Sequence, residues 1–225
     1  DKREHTFRFK LPAEPIAAWI DPDHWVLKKL EFSKPASFWK RQLSTDLHLA
    51  GRIEAGREIS GWRTDESAAL LEAAFHREKF WGGRLELAKA LGDARTDAAY
   101  EALKRCLKTA DHRSRRGVVE ALAGFQGSEP VRILAGLARK DPAYRVRAAA
   151  LRGLGRMRAS AALPVILKAL REDSWADVVR RGAVSALAGI QGVRSISRLK
   201  ALSSAGQPLP VRMEALEWLG RLGSG

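Results

Sequence analysis

A chain of 225 residues that is 45% hydrophobic and 29% charged can bury a real core, which excludes an intrinsically disordered protein. Forty Lys and Arg against 26 Asp and Glu leave a net charge of +14, which predicts attraction to polyanions or acidic surfaces without specifying either. A single cysteine excludes an internal disulfide and a zinc site built on several thiolates, and no apolar run approaches the roughly 20 residues of a membrane span.

In chain order, residues 1–35 are predicted to be strand-rich. Thr6-Phe7-Arg8-Phe9-Lys10-Leu11 alternates apolar with polar residues, and Ile16-Ala17-Ala18-Trp19-Ile20 comes after Pro12 and Pro15. Two strands cannot sustain a sheet alone, so the expectation is a sequence that begins inside a longer polypeptide. Trp19, Trp25 and Trp39 are expected to pack this junction against the first helical hairpin, with Trp62 and Trp81 nearby.

From residue 36 onward one pattern recurs. Gly51-Arg52-Ile53, Gly83-Arg84-Leu85, Ser114-Arg115-Arg116, Val146-Arg147-Ala148, Val179-Arg180-Arg181 and Val211-Arg212-Met213 share a register, with arginines separated by 32, 31, 32, 33 and 32 residues. Three positions after each arginine stands a small or aliphatic residue, and seven after it Ile59, Leu91, Leu122, Leu154, Leu187 or Leu219. These offsets share one helical face, so each segment is predicted as an amphipathic helix. A second helical run precedes each one, as at 131–138 and 163–170, making every repeat a helical hairpin. Asp141-Pro142, Ser128-Glu129-Pro130 and Ser174-Trp175-Ala176-Asp177 are read as helix starts, and Gly92, Gly155 and Gly220 as left-handed helix ends.

The valine-arginine start and leucine-glycine end, as in Val146-Arg147 to Leu154-Gly155, resemble the HEAT repeat and its phycobilin-lyase-type relatives over residues 36–222. The resemblance implies a curved solenoid with one helix of each pair lining the concave side. The expected fold is therefore all-α, a HEAT-like α-solenoid of about six helical hairpins over residues 36–225, preceded by a short β-strand segment left from an upstream β-sandwich.

A further resemblance covers about the first 60 residues. The run Ile20-Asp21-Pro22-Asp23-His24-Trp25-Val26-Leu27-Lys28-Lys29-Leu30-Glu31-Phe32, then Phe38-Trp39-Lys40-Arg41-Gln42-Leu43 and Gly51-Arg52-Ile53-Glu54-Ala55, resembles the junction after the catalytic region of aminopeptidase N-type zinc metallopeptidases (gluzincins). It implies a non-catalytic C-terminal domain that packs on a catalytic domain and shapes its peptide chamber. Zinc is then expected in that parent domain and no cofactor in this chain, where the family's His-Glu-x-x-His and Gly-x-Met-Glu-Asn motifs are absent.

The remaining residues suggest no chemistry of their own. His5, His24, His48, His76 and His112 lie at no ligand spacing and are read as surface or packing residues, and neither a Gly-x-Ser-x-Gly elbow nor a phosphate-cradling glycine loop occurs. Cys106, inside an apolar run, is read as a small core residue. Arg52, Arg84, Arg115, Arg147, Arg180 and Arg212 are assigned a structural role, with acids six positions before a repeat arginine, Asp46, Glu78 and Asp141, expected to pair with the arginine of the same or a neighbouring repeat. Arg113, Arg145, Arg152 and Arg156 are candidate contacts for an anion or peptide in the concave groove, where Glu86, Asp93, Glu214 and Glu217 interrupt the positive charge.

The expected partners are thus the parent's catalytic domain, peptides or acidic protein surfaces, with no membrane. One alternative is a free-standing protein-protein interaction solenoid, and another is a basic HEAT-like nucleic-acid module. Abundant alanine and arginine point to a bacterial source, and the chain is read as soluble, in cytoplasm or periplasm. If the repeat arginines are structural, Arg147→Ala lowers the melting temperature, and an unchanged thermal melt would remove that role.

Overall fold

The computed structural model describes residues 5–21, 25–27, 32–45 and 48–223. Its helices come in six successive pairs: α1 (Ala36–Thr45) with α2 (Leu49–Ser60), α3 (Asp65–Arg77) with α4 (Trp81–Ala94), α5 (Asp97–Cys106) with α6 (His112–Leu122), α7 (Ser128–Lys140) with α8 (Tyr144–Arg156), α9 (Leu163–Ala169) with α10 (Val178–Gln191), and α11 (Ile196–Leu202) with α12 (Leu209–Gly223). Short 3-10 turns lead into α9, α10 and α11. Each hairpin packs on the next, so contacts are local and the architecture is a solenoid.

The repeat explains the burial. Ala55, Leu87, Val118, Ala150, Ala183 and Ala215, three positions after the repeat arginines, are at most 3% exposed. Ile59, Leu91, Leu122, Leu154 and Leu187, one turn further on, are fully enclosed, and only Leu219 in the last helix is partly open. Burying one such side chain contributes roughly 1.5–3 kcal/mol, and the shared stripe makes one core continuous from Trp39 to Leu187. A smaller cluster of Val184, Ala188, Leu199, Val211 and Ala215 closes the far end. Cys106 is fully buried in the main core, and burial pushes its thiol up to about 12.

Several helix starts rest on side-chain caps. Thr64 Oγ1 accepts from the Ser67 amide at 3.1 Å while Ser67 Oγ accepts from the Thr64 amide at 3.0 Å, a reciprocal cap for α3. Asp111 caps α6 by accepting from the amide and hydroxyl of Ser114. Asp141, expected to start a helix, instead stands at the end of α7, and α8 begins after Ala143. The Ser174 box does not form either: Ala176 and Asp177 are both left-handed, and Ser174 Oγ accepts from the Val179 amide.

The glycines expected at helix ends lie inside helices: packing accounts for Gly92 and Gly155, while an added Cβ on Gly220 would meet nothing within 4 Å. A Cβ built on Gly155 would fall 2.6 Å from the Ala186 Cα, and one on Gly182 would fall 2.9 Å from the Ala148 Cα. These glycines let the second helices α8 and α10 touch backbone to backbone. The left-handed positions after α2, α4 and α8 are taken by Arg63, Arg95 and Arg158. Because the second helices of neighbouring hairpins approach more closely than the first helices do, the stack bends with the second helices on its concave side.

The β-strand segment expected within residues 1–35, as the remnant of an upstream β-sandwich, is not there: no described residue is in a β-strand. Alternation alone does not make a strand, because the backbone needs a paired neighbouring strand, and no described residue supplies one. Phe7 and Phe9 are 76% and 81% exposed, and Trp25 and Trp19 also stay open, so of the three junction tryptophans only Trp39 is buried. The Asp21 carboxylate accepts from the Trp25 and Val26 amides at 3.0 Å each. His24 and Asp46 lie outside the described residues.

Backbone contact at the glycines has a direct test. Gly155→Val, which must displace the Ala186 backbone, lowers unfolding free energy by about 3 kcal/mol in chemical denaturation. Gly136→Ala, in α7 with nothing within 4 Å of the added carbon, raises it by about 0.5–1 kcal/mol.

Candidate functional site

The six repeat arginines occupy matching places in the six second helices, fourth in the helix for five of them and third for Arg180. From there a guanidinium reaches two targets. One is the carbonyl end of the first helix of its own hairpin: Arg84 Nε donates to the Glu78 carbonyl at 2.6 Å, Arg115 Nη1 to the Thr109 carbonyl at 2.9 Å, and Arg147 Nε to the Ala138 carbonyl at 2.9 Å. The other is a carboxylate in the loop of the next hairpin. Arg115 forks onto Asp141 at 2.7 and 3.0 Å, Arg52 puts two nitrogens on Glu78 Oε2 at 2.9 and 2.7 Å, and Arg147 pairs with Glu172.

The series breaks where the acid is missing. The position that pairs with Arg52 and Arg115 lies 26 residues downstream, and for Arg84 that position is Ala110. For Arg180 it is Gly206, and Arg180 turns instead to Asp173 and Asp177 of its own loop. Arg212 Nε, in the last helix, is enclosed without a hydrogen-bond partner among the described residues. Glu78 also accepts from the Phe80 amide. Although burial raises its pKa, this bond and the Arg52 pair outweigh it, so Glu78 lies below the usual carboxylate value.

The four arginines singled out for the groove do not converge on one point. Arg113 and Arg145 lie in the first turns of α6 and α8, at the rim; Arg113 pairs with Asp111 at 3.2 Å and stacks over Trp81, 5.2 Å from the ring centroid, while Arg145 is exposed. Arg152 and Arg156 lie further along α8 on the concave side. The charges acting on the half-buried Arg152 are those of Glu120, Glu214, Arg156 and Arg116, so Arg152 belongs with α6 and α12, while Arg156 is exposed. Sequence reasoning does not single out Arg116 or Glu120, although Glu120 and Arg152 occupy the same place in consecutive repeats, five positions after the repeat arginine.

Beside this cluster a groove of about 270 Å³ runs between α4 and α6, lined by Leu85, Lys89, Asp93, Arg95, Glu120 and Ala121 among others. Its charges alternate in sign. Elsewhere on the second helices Arg57 pairs with Glu86 at 3.0 Å, and Glu214 is held by Ser185 Oγ at 2.6 Å and by Arg181 at 3.3 Å. Among the described residues no group of three or more His, Cys, Asp and Glu comes together to hold a metal, and His5, His48, His76 and His112 are all exposed. Among the described residues no helix is long and apolar enough to cross a membrane.

The Arg115–Asp141 fork, with side chains 12% and 3% exposed, is enclosed enough for its loss to be felt. Asp141→Asn costs about 3 kcal/mol in chemical denaturation because it strands a buried guanidinium, and in a double-mutant cycle with Arg115→Ala the two losses are not additive.

Known proteins share the helical-repeat fold. The complex of CpcE and CpcF of phycocyanin lyase from Nostoc sp. PCC7120 superposes with a TM-score of 0.59 at 21% identity, over 89% of this chain and 81% of that one. A designed armadillo repeat protein solved with the peptide (KR)4 gives 0.45 at 16% identity over 80% and 98% of the two chains. Human deoxyhypusine hydroxylase gives 0.41 at 14% identity over 86% of each. No curated protein matches the sequence. The family model for HEAT repeats matches residues 68–150 and 131–220, and the chain belongs to the HEAT-repeat family.

Proposed function

We propose that the protein is a docking solenoid whose second-helix face receives a segment of a partner protein. The observation that carries this reading is the contrast between the two sides of those helices. The side turned into the stack keeps small or aliphatic residues from hairpin to hairpin, whereas the position five residues after each repeat arginine carries Arg57, Lys89, Glu120, Arg152, Ser185 and Glu217, all exposed except the half-buried Arg152 and the buried Ser185. A mixed row of this kind suits a particular partner chain better than a uniform polyanion. The phycocyanin lyase fold, likewise solved as a complex of two chains, is in keeping with it.

A second reading makes this solenoid the accessory C-terminal domain of an aminopeptidase N-type metallopeptidase, residues 1–35 being the junction to the catalytic domain. The exposed apolar side chains of Phe7, Phe9, Leu11 and Ile16 favour it, because a second folded body would cover them. The segment is attached to the first hairpin through Lys34, which donates to the Ala18 carbonyl at 3.2 Å and lies over the Trp39 ring. A reading frame encoding His-Glu-x-x-His upstream of Asp1 supports this, and an upstream frame without a peptidase domain removes it.

The docking reading is tested by selecting displayed peptides against the full chain. Selected peptides lose at least about tenfold in affinity with Lys89→Trp, which blocks the α4–α6 groove, and keep it with Lys168→Trp on α9. Peptides that are insensitive to Lys89→Trp but sensitive to Lys168→Trp would overturn it.

A further inference from the structure

We propose that Arg116, Arg152 and Arg156 form a carboxylate-binding site on the concave face, where an acidic group of the docked segment is seated. The proposal rests on the docking reading and adds the chemistry of the ligand.

Most arginines of this protein that are drawn into the fold have an acceptor. Arg52, Arg115, Arg147 and Arg180 hold carboxylates, and Arg84 holds a carbonyl. On the first helices Arg105 forks onto Glu72 at 2.6 and 2.7 Å. Arg152 breaks this rule. It is half-buried in α8, yet among the described residues it makes no hydrogen bond and no ion pair. Burial draws its pKa below the ordinary guanidinium value, Glu120 and Glu214 act against that, and Arg156 and Arg116 add to it. A guanidinium stays ionised at neutral pH all the same, so its five donors stand ready for an acceptor.

Its neighbours are under-satisfied in the same way. Arg116 Nε is enclosed without a hydrogen-bond partner among the described residues, and its ion pair with the Glu120 carboxylate is loose, at 3.7 Å. Arg156 reaches only the Glu120 backbone carbonyl, at 3.4 Å. Glu214, the other acid acting on Arg152, is already occupied by Ser185 and Arg181. Arg116 and Arg152 therefore face one loosely held carboxylate, Glu120, with the exposed Arg156 guanidinium beside them. Partial removal from water without acceptors is costly, and like charges held together add to the cost. An incoming carboxylate supplies planar acceptors that match the guanidinium fork and relieves both.

The surroundings favour one discrete carboxylate over a continuous chain of phosphates. Glu120 sits within the cluster, with Asp93 on one flank and Glu214 on the other, so a polyanion tracking the face would meet repulsion on both sides. A peptide needs to place one acidic group in the gap. The groove between α4 and α6 shares Glu120 with the cluster and offers about 270 Å³ for the residue beside it.

The test is a titration of the full chain followed through its arginine Nε–H resonances. The probes are an end-blocked pentapeptide with a central Glu, its Gln counterpart, an acetylated alanine pentapeptide with a free C-terminus, and oligothymidylate. A carboxylate peptide shifts the Arg152 and Arg116 signals saturably, and which of the two does so identifies a side-chain or a terminal carboxylate as the source. Arg152→Met weakens that binding about tenfold, Arg152→Lys weakens it less, and Lys168→Glu leaves it unchanged. Arg152→Met also melts at or above the wild-type temperature, because it removes an unpaired desolvated charge. Equal binding of the Gln peptide, tighter binding of oligothymidylate at the same signals, or a lower melting temperature for Arg152→Met would each overturn the site. Absence of carboxylate binding while selected docking peptides still bind would overturn it and leave the docking reading standing; loss of both would remove both.

Discussion

The closeness of the second helices governs everything else in this molecule. Where α8 meets α10, Gly155 lies against the Ala186 backbone and Gly182 against that of Ala148, leaving no room for a side chain between them. Such contact is possible only if small residues recur at the crossing points, and the same requirement places Ala150 and Ala183 in the buried stripe. Because the first helices meet at longer range, tight packing on one side alone makes the stack curve. The concave face is thus a consequence of alanine and glycine positions, and its residues are brought together by curvature that no single hairpin contains.

Electrostatics then fixes how successive hairpins are set against one another. A repeat arginine touches both the end of its own first helix and the next loop, so one side chain reports on the placement of two hairpins. Arg115 shows this fully, with two carbonyls behind it and Asp141 in front. The direction of pairing matters: Asp141 lies six residues before Arg147 in sequence but is held by Arg115 of the preceding hairpin. Apolar burial tolerates some sliding between helices, whereas a bidentate pair with 12% and 3% exposed partners tolerates little.

Much of this is readable from residue spacing. Six arginines in one register, with a buried residue three positions on and a leucine or isoleucine seven positions on, suffice to place the second helices, because helical periodicity is a local property. The first helices, the enclosed Cys106 and the partners of Arg52 and Arg115 come from the same alignment. The helix ends are not readable in this way because Gly92 and Gly155 serve the neighbouring helix, and a glycine needed for close approach looks the same in sequence as one needed for a left-handed turn. The segments at 6–11 and 16–20 mislead for a related reason: alternation describes a strand's faces but says nothing of whether a neighbouring strand exists. Within the candidate site, Arg152 and Arg156 are accessible to sequence, since they share a helical face. The part played by Arg116 is not, because it depends on how α6 leans against α8.

The two sets of arginines are distinguished by what each would lose if it were absent. Arg52, Arg115 and Arg147 close contacts that hold hairpins in register, so the fold accounts for them. Arg152 closes nothing, and its half-burial among Arg116 and Arg156 works against the fold. Marginally stable proteins lose such residues readily to any apolar side chain of similar size, unless another function retains them. The same position carries the exposed Lys89 and Glu120 in the preceding hairpins and in the next one Ser185, which is buried against Glu214. A place in the repeat that takes residues of either charge, and in α8 holds a half-buried cation without an acceptor, is where recognition of a partner can be written without disturbing the stack.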